Sequence, residues 1–171
     1  MKNSRLIWFG LSTALLLSGC APRSPSEARP VGENVRTSAD VVKVGGSGVD
    51  LSSGGSAELA ILISIEPGYH VNANPATFDY LIATELTFDR SEGITFGKPI
   101  YPAAEKKKFQ FAEQPLAVYE GKVQIKLPLQ AAPGAARGTR SLAMHLRVQA
   151  CDEEKCFPPD TLPATPAVNL K

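Results

Sequence analysis

The chain has 171 residues, with 18 basic against 17 acidic side chains, 7% aromatics and 3 cysteines. That length holds one modest core with little room for a second domain, and a 43% hydrophobic share is too high for a disordered chain. A near-neutral balance lacks the basic stripe of a nucleic-acid binder, so no nucleic-acid partner is expected.

Lys2 and Arg5 precede an apolar run from Leu6 to Leu17 that is interrupted only by Gly10, Ser12 and Thr13. A charged start followed by an apolar stretch too short to span a bilayer is the layout of an export signal. The run ends in Leu17-Ser18-Gly19-Cys20, which resembles a bacterial lipobox. The resemblance implies that residues 1–19 are a lipoprotein signal peptide and that Cys20 is lipidated, leaving 16 basic against 17 acidic residues. An uncleaved anchor or an ordinary secretory signal is the alternative. Several acyl chains anchor stably where a single one binds only marginally. Ala21 and Pro22 stand where some inner-membrane lipoproteins carry aspartate, which tilts the expectation toward the outer membrane. Residues 20–38 are rich in proline and polar side chains and read as the lipidated cysteine and a flexible tether, leaving 39–171 as the folded domain.

Beyond the tether, apolar residues recur with period two. Leu59, Ile61, Ile63 and Ile65 form one set, Val123, Ile125, Leu127 and Leu129 a second, and Leu142, Met144, Leu146, Val148 and Ala150 a third. Shorter β-like pieces surround Val41–Val44, Leu86–Phe88 and Ala164–Leu170. Turn signals separate them, among them Glu66-Pro67-Gly68, Glu120-Gly121 and Ala132-Pro133-Gly134. No window sustains a capped helical period, which disfavours a parallel βαβ design. Strands with one buried and one wet face are antiparallel, so the expected fold is an all-β antiparallel sandwich. Lys106-Lys107-Lys108 reads as a solvated loop, with partner docking as the alternative.

With Cys20 assigned to the lipid, Cys151 and Cys156 remain, in Gln149-Ala150-Cys151-Asp152-Glu153-Glu154-Lys155-Cys156-Phe157-Pro158-Pro159. Export places them in an oxidising compartment, where two thiols this near meet as a disulfide across a hairpin. An inert staple and a reaction centre both fit this pattern. The closed ring spans only six residues, so it restrains the unfolded chain less than a long-range bridge and the staple reading loses weight. Metal binding by Cys151, Cys156, His70 and His145 is disfavoured, because the spacing matches no common zinc pattern. His145 alternates with core residues and points to solvent, while His70, just after a turn, is expected to hold a local hydrogen bond. No third group orients a Cys–His pair, which disfavours a hydrolase. Asp152, Glu153 and Glu154 oppose a thiolate, so no strongly acidic thiol is expected. Pro158 and Pro159 remove two donors beyond Cys156, which leaves an unpaired edge for a partner.

Gly68-Tyr69-His70-Val71-Asn72-Ala73-Asn74-Pro75, Tyr101-Pro102, Val118-Tyr119-Glu120-Gly121 and the segment Gln149–Pro159 together resemble the N-terminal periplasmic domain of the DsbD thiol:disulfide interchange family. The likeness runs from about residue 39 to the C-terminus. It implies an immunoglobulin-like β-sandwich, with no cofactor, that acts as a monomer. It implies that Cys156 forms mixed disulfides with partners and that Cys151 resolves them. Electrons would pass from a membrane-embedded thiol reductant to thioredoxin-like periplasmic proteins, including those of cytochrome c maturation. A cap loop shields the cysteines in this family, and docking of a partner is expected to move it. Phe111 is the first candidate for the capping aromatic and Phe109 the second, with an ordinary core role as the alternative for either. In DsbD the membrane domain follows in the same polypeptide, whereas this sequence stops at Lys171, so the reductant is expected on a separate chain. The lipid anchor would then substitute for covalent attachment. A non-catalytic lipoprotein interaction module with a structural disulfide is the alternative function.

Overall fold

The computed structural model describes residues 36–171. The expected signal peptide, Cys20 and the tether as far as residue 35 lie outside the described residues. A single helical turn, α1 (Ser38–Val41), opens the domain and leads into β1 (Val42–Gly46), so the β-like piece expected at Val41–Val44 begins one residue late. The Asp40 carboxylate accepts a hydrogen bond from the Thr37 amide at 2.6 Å, satisfying one donor that a helix start leaves unpaired. Strands follow in the order β2 (Val49–Leu51), β3 (Ser56–Ile65), β4 (His70–Asn72), β5 (Glu85–Phe88), β6 (Ile94–Phe96) and β7 (Glu105–Lys107). The second half holds β8 (Leu116–Tyr119), β9 (Lys122–Ala131), β10 (Gly138–Ser141), β11 (Met144–Val148), β12 (Ala150–Cys151), β13 (Asp160–Ala164) and β14 (Ala167–Leu170).

The two longest strands, β3 and β9, pair antiparallel through the middle of the sheet β1-β3-β9-β6. Leu59 faces Leu127 and Ile61 faces Ile125 across that pair, so their side chains pack directly against one another on one face. All three period-two sets turn inward, with Val123 only half-buried. From the other side, Met144, Leu146 and Val148 of β11 enter the same core, joined by Leu86 of β5 and Leu162 of β13. Each such side chain contributes roughly 1.5–3 kcal/mol of apolar transfer energy. Two antiparallel layers closing on one core make an immunoglobulin-like β-sandwich.

One pairing departs from the antiparallel rule. Strand β14 runs parallel to β2, with Val168 opposite Val49 and Leu170 opposite Leu51. Parallel neighbours need a long connection, and here nearly the whole domain lies between them. Asn169 Nδ2 donates to Asp50 Oδ1 at 2.9 Å, and Lys171 Nζ pairs with the other oxygen at 2.5 Å.

Candidate functional site

The site is built on the small sheet β12-β4-β8-β7. Strand β4 leaves a tight turn in which the Tyr69 amide donates to the Glu66 carbonyl and Gly68 takes φ +86°, a conformation a Cβ would strain. Its register sets Ala150 opposite Val71 and Cys151 opposite His70, then Val71 opposite Tyr119 and Asn72 opposite Val118. Successive side chains alternate between faces. Ala150, Val71, Tyr119 and Ala117 therefore face the main core, where they are buried. Cys151, His70, Asn72, Val118 and Leu116 share the opposite face.

That second face would ordinarily be wet. Here the loop 108–115, between β7 and β8, folds over it. Phe109 joins Leu116 and Val118 in a separate apolar cluster bordered by Phe78, Leu81 and Ala112. The Phe109 ring stacks on His70 with centroids 4.1 Å apart, and Phe111 stacks on Phe109 at 5.3 Å. Phe109 is 1% exposed and Phe111 46%, so one is the anchor of the loop and the other its outer surface. Lys108 Nζ pins the loop by donating to the carbonyls of Ala112 and Glu113.

Cys151 and Cys156 are joined as a disulfide with Cα atoms 3.9 Å apart. The hairpin expected between them forms: the Asp152 amide donates to the Lys155 carbonyl at 2.9 Å, and the Phe157 amide to Ala150 at 2.8 Å. Asp152 Oδ1 accepts from the amides of Glu154 and Lys155 at 2.9 and 2.8 Å, and these bonds hold its carboxyl below the ordinary range. The two cysteines differ in access, Cys151 being buried and Cys156 exposed. Lys107 Nζ lies 2.6 Å from Glu120 and 3.5 Å from Glu153, tying β7 to the hairpin. Its hydrogen bond to Glu120 raises its pKa. Lys107 is thus a strand residue bridging two carboxylates, in place of the solvated loop expected for the lysine run.

Two further expectations are corrected. Ser38, assigned to the tether, is fully buried: its Oγ donates to the Pro158 carbonyl at 2.7 Å and accepts from the Ala150 amide at 2.9 Å. The chain before β1 therefore occupies part of the edge expected to stay open beside Pro158. His70 is no turn residue with a local bond. It is 2% exposed, and its Nε2 has no hydrogen-bond partner. Burial, the largest influence, holds its imidazole below the ordinary 6.5. His145 lies on β11, with Nε2 3.7 Å from Asp89. Among the described residues no three His, Cys, Asp or Glu gather as a metal-binding group, and no helix is long and apolar enough to cross a membrane.

A buried and an exposed cysteine joined on one hairpin, on a sheet whose His70 face carries an aromatic loop, is an arrangement that suits thiol–disulfide exchange. Residues 39–166 match the family model described as thiol:disulfide interchange protein DsbD, N-terminal. The chain belongs to this family. Among solved structures, it is similar to the DsbD N-terminal domain of Neisseria meningitidis in the reduced form, at 20% identity and a TM-score of 0.44, covering 65% of this chain and 77% of that one. The N-terminal periplasmic domain of ScsB from Proteus mirabilis is also similar, at 16% identity and a TM-score of 0.48. That overlap covers 74% of this chain but only 47% of the ScsB domain. A type I cohesin of Pseudobacteroides cellulosolvens overlaps 77% of this chain and 92% of its own, at 9% identity and a TM-score of 0.47. No curated protein matches. The family assignment rests on the match over residues 39–166.

The fold brings Cys151, Cys156, Phe109 and Phe111 to one end of this DsbD-type domain. Sequence reasoning missed His70 and Lys107. His70 stood inside the Gly68–Pro75 motif, and that membership was the signal available for it. Nothing local to Lys107 separates it from its two neighbouring lysines.

Proposed function

We propose that this domain is an envelope electron carrier in which the Cys151–Cys156 bond opens and re-forms at each turnover. The observation that carries the reading is the unequal exposure of the two sulfur-bearing residues. A thiol on an incoming partner needs an accessible sulfur, and Cys156 is the exposed residue of the pair. In the forward half-reaction, a membrane-embedded thiol reductant attacks the disulfide at Cys156 and releases Cys151 as the leaving thiolate, which takes a proton. A second thiol of the reductant displaces Cys156, and two electrons have then been transferred. In the return half-reaction, the Cys156 thiolate attacks the disulfide of a thioredoxin-like periplasmic protein to form a mixed disulfide. The Cys151 thiolate attacks Cys156 in turn, re-forming the internal bond and releasing the partner as a dithiol.

Phe109 and Phe111 cap the pair, with Phe109 as the anchor. Lipidation at Cys20, after removal of residues 1–19, holds the domain at the membrane with the outer membrane preferred, and residues 20–35 serve as the leash. Cytochrome c maturation proteins are among the acceptors this chemistry suits.

The test is a trap. Cys151→Ser should accumulate a reducible mixed disulfide with an envelope protein through Cys156, and Cys156→Ser should accumulate none. Measured on the isolated protein, a reduction potential below about −300 mV would place the bridge with inert structural disulfides and end the proposal.

A further inference from the structure

Beneath the capping loop lies a polar group that none of the exchange steps above has used. His70 is 2% exposed, yet its Nε2 is buried without a hydrogen-bond partner while the neighbouring sulfurs are joined. An unpaired buried nitrogen is costly, and native folds rarely keep one without a use. His70 is the direct cross-strand partner of Cys151. Directly opposed residues of an antiparallel pair place their Cβ atoms within about 4.5–5.5 Å on the same face. The Phe109 ring, stacked on the imidazole at 4.1 Å, closes this face from water. In the oxidised protein Cys151 has no proton to give; on reduction it gains an S–H on the face it shares with His70, where a donor could meet the unpaired nitrogen.

Building on the exchange function proposed above, we infer that the His70 imidazole accepts the Cys151 thiol proton in the resolving step. With Cys156 bound to a partner sulfur, the Cys151 S–H proton passes to His70 Nε2. The resulting thiolate attacks the Cys156 sulfur, the Cys151–Cys156 bond forms, and the Cys156–partner bond breaks. The electron pair leaves with the partner sulfur, and His70 returns its proton to that thiolate or to water. A neutral imidazole is required, and burial favours it. The charged groups that act on the ring are Glu120 at the end of β8, Lys107 on β7, and Glu153 and Asp152 on the hairpin. Lys107 opposes protonation and the three carboxylates favour it, while burial, the largest influence, keeps the resting ring neutral.

The experiment uses the full reduced chain and the aromatic disulfide 5,5′-dithiobis(2-nitrobenzoate) as the acceptor. Attack by Cys156 releases one nitrothiobenzoate, and resolution by Cys151 releases the second. Acid-quenched samples are digested so that mass spectrometry reads the Cys151 and Cys156 peptides separately. His70→Phe, which keeps a stacking ring and removes the base, should leave the first release within about twofold and slow the second at least tenfold at pH 7. The second release in the unaltered protein should rise with pH through the titration of His70 and then level off. In the variant it should climb tenfold per pH unit toward the ordinary thiol value near 8.5. If His70→Phe does not fold, His70→Gln, polar but unable to take the proton, should show the same slow, thiol-controlled profile. Equal rates and equal pH profiles in the variant and the unaltered protein would overturn the role of His70 and leave the exchange reading standing. An unaltered protein that forms the Cys156 adduct and never resolves it would overturn both.

Discussion

Truncating Phe109 isolates what holds the loop over the His70 face of the small sheet. Full burial of its ring is worth about 2 kcal/mol in transfer energy. Stacking on His70 at 4.1 Å and under Phe111 at 5.3 Å adds roughly 0.5–1 kcal/mol for each pair. Phe109→Ala should therefore weaken the closed loop by about 3 kcal/mol, or roughly two orders of magnitude in the closed-to-open ratio. The ring belongs to the small cluster with Leu116 and Val118, apart from the main core, so the loss falls on the loop before the sandwich. Cys151 reports the opening because it is buried. In a Cys156→Ser background, the alkylation rate of Cys151 by iodoacetamide, read at its own peptide, should rise at least tenfold with Phe109→Ala. Phe111→Ala, which removes a ring already half in water, should change it less than threefold. A rate within twofold for Phe109→Ala in a folded protein, or a larger effect from Phe111→Ala, would refute the assignment of Phe109 as the anchor.

Ser38→Ala removes a hydroxyl that bridges Pro158 and Ala150 and leaves the Ala150 amide without its partner, so global stability should fall by about 1–3 kcal/mol in urea unfolding. His70 gives a pH signature. Burial depresses its folded pKa below 6.5, so the unfolded chain takes up a proton near 6.5 that the folded chain refuses until lower pH. Its contribution to stability is complete above about 6.5 and is lost as the pH falls through the folded value; the midpoint of urea unfolding should drop from pH 7 to pH 5, and His70→Phe should flatten that decline. Lys107→Ala breaks partly exposed ion pairs to Glu120 and Glu153, so it should cost less than about 1 kcal/mol in urea unfolding, and 0.5 M salt should shrink the difference.

Local chemistry made much of this domain legible before any coordinates. The alternation at Leu59–Ile65 and Leu142–Ala150 names both the strands and their buried faces, because period two is a property of a few consecutive residues. The four polar residues between Cys151 and Cys156 foretell the hairpin for the same reason. Strand β4 is different. All three of its residues are buried, so no alternation marks it, and His70 on its own resembles a turn residue. Its burial depends on β12, some eighty positions away in the chain, and on a loop that reaches across from β7. The parallel return of β14 beside β2 likewise depends on contacts between opposite ends of the domain. Sequence alone marked the long strands β3, β9 and β11 and showed where two sulfurs would meet. Only the tertiary structure decided which nitrogen, ring and lysine surround them, because register between distant strands is chosen by the packing of the whole core.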